Sequence, residues 1–235
     1  MIEITSYGSS SAGNAYRITD GHTPLLLEAG LKYKELQRAL SFRVSELAGC
    51  LISHEHGDHS MAAKDLVRAG VDIYTSQGTA DALKLTGHHI RPVSALQQFT
   101  VGTWTILPYD VQHDAAEPLG FLLANTAGDK LLFATDTYYI KHRFVGLTHI
   151  MVECNYSIRT LNQNIAAGRV PEVLKSRLLR SHFSLENVKD FLRANDMRRV
   201  QEIHLLHLSD NNSDETLFKR EIMALTGKQV YVAGR

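Results

Sequence analysis

His54-Glu55-His56-Gly57-Asp58-His59 puts four metal-ligand side chains into one short turn. The turn follows Cys50-Leu51-Ile52-Ser53, an apolar run that reads as the end of a buried β-strand, and Gly57 is expected to let it close tightly around its own side chains. Imidazole nitrogens and a carboxylate oxygen are donors that zinc, manganese and iron accept. Two histidines at i and i+2, then Asp and His at i+4 and i+5, are too many donors for one ion that must keep an open position. The spacing therefore points to a pair of ions, with His54 and His56 on one and Asp58 and His59 on the other.

The same grammar recurs downstream. Tyr109-Asp110-Val111-Gln112 runs into His113, Leu131-Leu132-Phe133-Ala134-Thr135 into Asp136, and Ile203-His204-Leu205-Leu206 into His207. Ligand-type residues at strand ends converge on one edge when the strands run the same way, and the strands behind them fix their geometry.

A chain of 235 residues, 44% hydrophobic and 21% charged, can bury a substantial core and is not disordered. No apolar run approaches the roughly 20 residues of a membrane span. Met1-Ile2-Glu3-Ile4-Thr5 lacks a basic start and reads as a first strand rather than a leader. Cys50 and Cys154 each lie in an apolar run, as small core residues of a reducing compartment do, so a cytoplasmic location is expected. The formal net charge is zero, which argues against a protein that coats nucleic acid but not against local grip on a few phosphates. Residues 169–199 carry eight basic and four acidic side chains, a local excess of +4.

Alternating apolar runs predict strands over 2–7, 14–19, 24–28, 50–53, 71–75, 102–107, 119–124, 130–135, 149–153, 201–206 and 229–233. Helical periodicity is expected over 33–41, 60–69, 78–86, 158–167, 171–179, 185–194 and 214–225. Strands of the first half read mostly as consecutive hairpins and those of the second as separated by helices. Gly128-Asp129 marks a hairpin turn. With no linker or low-complexity stretch, residues 1–235 read as one α/β domain of two mixed sheets with helices outside.

Taken together, the HxHxDH turn, the lone His113, Asp136 after its strand and the late His207 resemble the metallo-β-lactamase superfamily of dinuclear hydrolases. Gly8-Ser9-Ser10-Ser11-Ala12-Gly13-Asn14, Leu26-Leu27-Glu28-Ala29-Gly30, His113-Asp114-Ala115-Ala116-Glu117-Pro118 and His207-Leu208-Ser209-Asp210-Asn211-Asn212 narrow the likeness to its YycJ/WalJ-like subgroup, related to RNase Z and RNase J. The resemblance implies an αββα sandwich of two mixed β-sheets. It implies one ion on His54, His56 and His113, a second on Asp58, His59 and His207, and Asp136 as the bridge. Glu28 departs from the subgroup's usual Asp, which is expected to adjust a contact behind the ligands. Asn155-Tyr156-Ser157 departs from its Asn-His-Asp, so that loop is given no role.

Two ions (Zn2+ and Mn2+ suit the donors alike) would share a water and lower its pKa toward ~7, giving a bridging hydroxide as nucleophile. Asp58, besides binding metal, could orient that hydroxide. No ligand obviously protonates the leaving group. His182, in Arg180-Ser181-His182-Phe183-Ser184, stands before a helix that Ser184 could cap, and the resemblance to RNase Z-like enzymes puts it beside the scissile phosphate. The Gly8–Asn14 stretch reads equally as a phosphate-donating loop and as a plain hairpin turn. Glu153 is expected to support the ligands from behind, while His22, His88, His89, His142, His149 and His204 are structural or surface residues. The leading functional expectation is a phosphodiesterase acting on nucleic acid, as an exonuclease, with a cyclic-nucleotide phosphodiesterase as alternative. Thioester or lactam cleavage and a silent metal-binding module rank lower. No membrane partner is expected, and self-association is left open.

Overall fold

The computed structural model describes residues 1–234. The strands are β1 (Glu3–Ser10), β2 (Gly13–Thr19), β3 (Leu25–Leu27), β4 (Gly49–Leu51), β5 (Ile73–Thr75), β6 (Ile90–Pro92), β7 (Phe99–Val101), β8 (Trp104–Asp110), β9 (Leu119–Asn125), β10 (Lys130–Ala134), β11 (His149–Glu153), β12 (Glu202–Leu206) and β13 (Gln229–Val232). The helices are α1 (Tyr33–Ala39), α2 (Gly57–Ser60), α3 (Ala63–Arg68), α4 (Gln77–Ala82), α5 (Ile158–Ala166), α6 (Val173–Ser181), α7 (Leu185–Ala194) and α8 (Glu215–Thr226). They form two mixed β-sheets flanked by helices, and the described residues divide into two compact units.

The first unit holds Met1–Asp110, Ala115–Asp129 and Gly234. Its six-stranded sheet runs in order β1-β2-β3-β4-β5-β6, antiparallel through β3 and parallel from β3 to β6. Hairpins account for β1–β3, but the parallel strands are joined through α1, α2–α3 and α4, so the expectation of mainly consecutive hairpins holds only in part. Parallel neighbours need a crossover, and a helix is the usual one. Leu26, Leu36, Cys50, Ile52, Leu66 and Ile73 form the apolar cluster that α1 and α3 cover. The same unit contains the antiparallel set β7-β8-β9.

The structure departs from two local expectations. The strand expected over 102–107 is β8, which starts only at Trp104; Gly102-Thr103 is the two-residue loop of a hairpin in which Val101 of β7 faces Trp104. The single helix expected over 60–69 is two, α2 and α3. Helix α2 begins at Gly57, so Asp58 and His59 of the metal-ligand turn lie in one helical turn while His54 and His56 precede it. Strand β6 escaped the sequence reading because it has three half-exposed or exposed residues, one of them Pro92. A proline fits there because β6 is the sheet's edge.

The second unit holds Val111–Asp114 and Lys130–Ala233. Strands β10 to β13 lie parallel, in order β13-β12-β11-β10. Lys130–Ala134 and His149–Glu153 are buried almost throughout, as expected of parallel strands covered on both faces. Parallel direction brings the C-terminal ends of β10, β11 and β12 to one edge, where Asp136, Glu153 and His207 follow or close their strands. That edge is where open α/β sheets usually place ligands.

Candidate metal centre

In the first unit, Ser60 Oγ donates to the carbonyls of Glu55 and His56, both at 2.9 Å, and folds the turn back on itself. His54 Nε2 and His56 Nδ1 then stand 3.1 Å apart, and His59 Nε2 lies 3.3 Å from Asp58 Oδ2. Donors about 2.1 Å from an ion at tetrahedral corners are ~3.4 Å apart, so each pair fits one cation. Ser53 Oγ lies 2.8 Å from His54 Nδ1, which leaves Nε2 as the donor nitrogen. Glu28 Oε2 is 3.5 Å from His59 Nδ1 and orients that ring in the same sense.

Glu28 is fully buried, at φ +64°, and accepts from the Ser53 backbone N–H. Burial raises its pKa, although His59 and Ser53 counter part of the effect. Asn14, also fully buried, has Nδ2 3.1 Å from the Asp58 carbonyl oxygen and 3.2 Å from His59 Nε2. Residues 8–14 therefore close the β1–β2 hairpin and steady two ligands. Ser9 Oγ pairs instead with the Tyr16 hydroxyl at 2.7 Å. A Cβ at Gly30 would overlap the Asp58 carbonyl, so the Leu26–Gly30 stretch needs its glycine for close approach. Gly57 has open space around it and no positive φ, which removes the conformational role expected of it. Glu55, between the two histidines, accepts from the Ala116 backbone N–H at 2.8 Å and so holds the loop after His113.

In the second unit, His113 Nδ1 donates to the Ser181 carbonyl at 3.0 Å and its Nε2 lies 3.7 Å from Asp136 Oδ2. His207 Nδ1 is 3.7 Å from Asp136 Oδ1 and 3.3 Å from Glu153 Oε1. Asp136 (φ +34°) and His207 (φ +52°) both hold left-handed backbone, a strain common where side chains must be aimed. Asp136, Glu153, His182 and His207 each offer a donor atom within 4.8 Å of the others. Burial lowers the His113 pKa, which keeps its ring in the neutral form a cation needs.

His182 closes α6 and donates from Nδ1 to Glu153 Oε1 at 2.6 Å. Its ring lies 5.6 Å from that of His207 and 5.7 Å from that of His113, centroid to centroid. Burial acts to lower its pKa, but the Glu153 charge and hydrogen bond, with Asp136 behind them, raise it above its usual value. Glu153 is fully buried and also accepts from the backbone N–H groups of Thr137 and Phe183, at 3.1 and 3.0 Å. Despite burial, which acts to raise it, its pKa is lowered, chiefly by His182. Ser184 caps α7 by accepting from the Asn187 N–H at 3.1 Å, as expected.

Each unit thus gathers its own share of the expected ligands. His54, His56, Asp58 and His59 meet in the first, and His113, Asp136 and His207, with His182, in the second. Asn155 was missed: its Nδ2 lies 3.1 Å from His207 Nδ1 and donates to the His207 carbonyl at 2.9 Å. The signal was in the sequence, an amide two residues beyond a buried acidic strand end. The remaining histidines stand away from these sets. His89 pairs with Asp72 at 2.7 Å, His204 with Glu202 at 3.1 Å, and buried His149 with Thr148 at 2.9 Å. Both cysteines are buried.

Residues 24–205 match the family described as Beta-lactamase superfamily domain. The exodeoxyribonuclease YycJ of Bacillus anthracis is 29% identical over 233 residues, covering 91% of this chain and 85% of that protein. The exodeoxyribonuclease WalJ of Streptococcus pneumoniae serotype 2 is 27% identical over 225 residues, covering 89% and 82%. Among solved structures, the metallo-β-lactamase fold protein YhfI of Bacillus subtilis superposes with a TM-score of 0.75 at 17% identity, over 99% of this chain and 95% of that one. Two mixed sheets flanked by helices, His/Asp clusters able to bind divalent cations and a match over most of the chain agree: this chain belongs to the β-lactamase superfamily and has the metallo-β-lactamase fold.

Proposed function

We propose that the chain is a divalent-metal-dependent nuclease that hydrolyses phosphodiester bonds exonucleolytically. The observation that carries this reading is the His182–Glu153 pair at 2.6 Å, beside the Asp136 and His207 donors. A buried carboxylate behind an imidazole also serves metal ligands, as Glu28 does behind His59, but the expected ligand set is complete without His182, and a departing alkoxide needs a proton. Support also comes from the names of the YycJ and WalJ relatives, both exodeoxyribonucleases.

In this proposal His54, His56 and His113 would hold one ion and Asp58, His59 and His207 the other, with Asp136 shared between the two sets. Two divalent ions held there would supply a water of lowered pKa and positive charge for the phosphate oxygens. The chain's own groups do the rest. Ser53, Glu28 and the Ser181 carbonyl hold Nδ1 of His54, His59 and His113, so that Nε2 would be the ligating atom of each ring. Asp58 orients the attacking water in addition to its ligand role. Glu153 fixes the His182 ring through Nδ1, which leaves Nε2 to deliver the leaving-group proton. A single domain over 1–235 and a cytoplasmic setting belong to the same proposal. Among the described residues no helix is long and apolar enough to cross a membrane.

The alternative, a cyclic-nucleotide phosphodiesterase, is favoured by the zero formal net charge. A turnover screen of single-stranded DNA, duplex DNA, RNA and cyclic mononucleotides, each with zinc and with manganese, separates the two. Progressive release of mononucleotides from a DNA end is expected. Untouched oligonucleotides with efficient opening of a cyclic mononucleotide would replace the nuclease reading by the alternative.

A further inference from the structure

Wholly within the second unit, the segment after Asp136 and the face of α7 enclose a cavity of about 380 Å3. That is the lower part of the roughly 300–1,000 Å3 range of small-molecule sites. Tyr138, Tyr139, Phe183 and Phe191 are among its walls, with Lys141 and Arg143 also lining it. Two of these residues are tied by sequence to the second unit's donor set. Tyr138 comes two positions after Asp136, and Phe183 follows His182 directly.

The wall is held in place from behind. Thr137 Oγ1 donates to the Tyr139 carbonyl at 2.9 Å and accepts from the Tyr139 N–H at 3.3 Å. The Tyr138 carbonyl accepts from Asn187 Nδ2 at 3.3 Å, and the Phe144 N–H donates to Asn195 Oδ1 at 2.7 Å. Phe183 and Phe191 are buried, with ring centroids 6.3 Å apart, and make a fixed apolar floor. Tyr139, by contrast, is 56% exposed, an aromatic side chain open to solvent on a pinned backbone. Lys141 and Arg143 are exposed beside it. The one carboxylate in the lining, Asp190, is offset by Arg193 at 2.8 Å.

An open aromatic ring, an apolar floor and cations at the same cavity suit a flat heteroaromatic group carrying an anion. We propose that this cavity receives the base of the nucleotide at the scissile phosphate, with Tyr139 as the stacking face and Lys141 and Arg143 toward its phosphate. The inference rests on the nuclease reading and names the subsite that would hold the terminal nucleotide in register. Stacking on an aromatic ring tolerates any base, so the cavity grips the end of a strand without reading its sequence.

Calorimetric titration with deoxyadenosine monophosphate and with deoxyribose 5-phosphate tests the cavity without any turnover. The nucleotide should bind at least about 10-fold more tightly than the base-less sugar phosphate. Tyr139→Ala should weaken nucleotide binding by about 5- to 100-fold while Tyr139→Phe retains it. Equal affinity for the two probes, or an unchanged affinity in Tyr139→Ala, would overturn the subsite. Oligonucleotide digestion separates this from the nuclease reading. A wild-type protein that removes an abasic terminal nucleotide as fast as a normal one keeps the nuclease and loses the subsite. Tight, Tyr139-dependent nucleotide binding with no cleavage of any polymer keeps the cavity as a mononucleotide site and rejects the nuclease.

Discussion

The two units build their donor sets by different routes. In the first, four ligands come from six consecutive residues: Asp58 and His59 lie in one helical turn, His54 and His56 just before it, and Ser60 clasps the two parts together. In the second, Asp136, Glu153 and His207 come from three parallel strands, His113 from a short separate segment, and His182 from the junction of α6 and α7. A contiguous set is specified by local chain geometry. A dispersed set is specified by strand direction and register, and it needs a buried hub to tie its members together. Glu153 is that hub, with His182 and two backbone N–H groups on one carboxylate. The first set has no such single hub; Asn14, Glu28 and Ser53 share the task.

The largest effect expected is at Asp136, the residue proposed to join the two sets. Asp136→Asn should lower the content of both metals from two equivalents and reduce turnover by more than the ~10–100-fold typical of a residue behind the ligands. Elemental analysis beside a rate assay checks it, and normal metal content with normal activity would remove Asp136 from the centre. Next comes His182→Ala, expected to keep its metals and lose about 10²–10⁴-fold in turnover. The loss should shrink on a nitrophenyl phosphodiester, whose leaving group needs no proton. An equal loss on both substrates would reduce His182 to phosphate positioning. Glu153→Gln tests the hub itself, with a fall of roughly 10–100-fold. Its effect should largely disappear in a His182→Ala background, and full additivity would deny that the two act as one device.

Glycine substitutions sharpen the contrast within the first unit. Gly30→Ala forces a methyl group onto the Asp58 carbonyl and should cost about 1–3 kcal/mol in denaturant unfolding. Gly57→Ala meets nothing and should stabilise by about 0.4–1 kcal/mol. Similar results for both would mean that the ligand turn is not held by the segment Glu28–Gly30 that follows β3. The smallest effect lies outside both sets. Burial acts to raise the Asp72 pKa, but His89 and Arg91 bring it below the ordinary carboxylate value. A depressed folded pKa contributes stability above the unfolded value of about 3.9, lost as pH falls through the folded one. Asp72→Asn should therefore lower stability slightly at neutral pH, where that contribution is present, and change it little at acid pH, where it is already lost, so that the profile flattens around pH 4 in denaturant unfolding followed against pH.

What could be read from the sequence divides along the same line. The HxHxDH turn announced its chemistry because ligand spacing and local fold are one property there. Asp136, His113 and His207 were legible through apolar strands that end in a ligand type, a rule that the parallel β10–β12 edge explains. Glu153 was read as support because it ends a strand in the same way, but its bond to His182 was not, since nothing local links residues 29 positions apart. Asn155 was passed over because its loop, Asn155-Tyr156-Ser157, departs from the subgroup's Asn-His-Asp at the two positions after it. The hairpin at Gly102-Thr103 and the edge strand β6 were missed for a simpler reason: segments of three residues carry too few side chains to show a period.

The two cysteines have a use that follows from where they lie. Cys50 sits in β4 of the first unit and Cys154 directly after β11 in the second, both fully buried. Burial, with Glu28 near one and Glu153 and Glu186 near the other, pushes both thiols well above their usual pKa. A thiol kept protonated and out of solvent is a poor nucleophile, so alkylating reagents must wait for the chain around it to open. Each unit thus carries one natural exchange probe. The labelling rates of Cys50 and Cys154, followed by peptide mass, would time the breathing of the two units separately, and a pair of identical rates would show that they open as one.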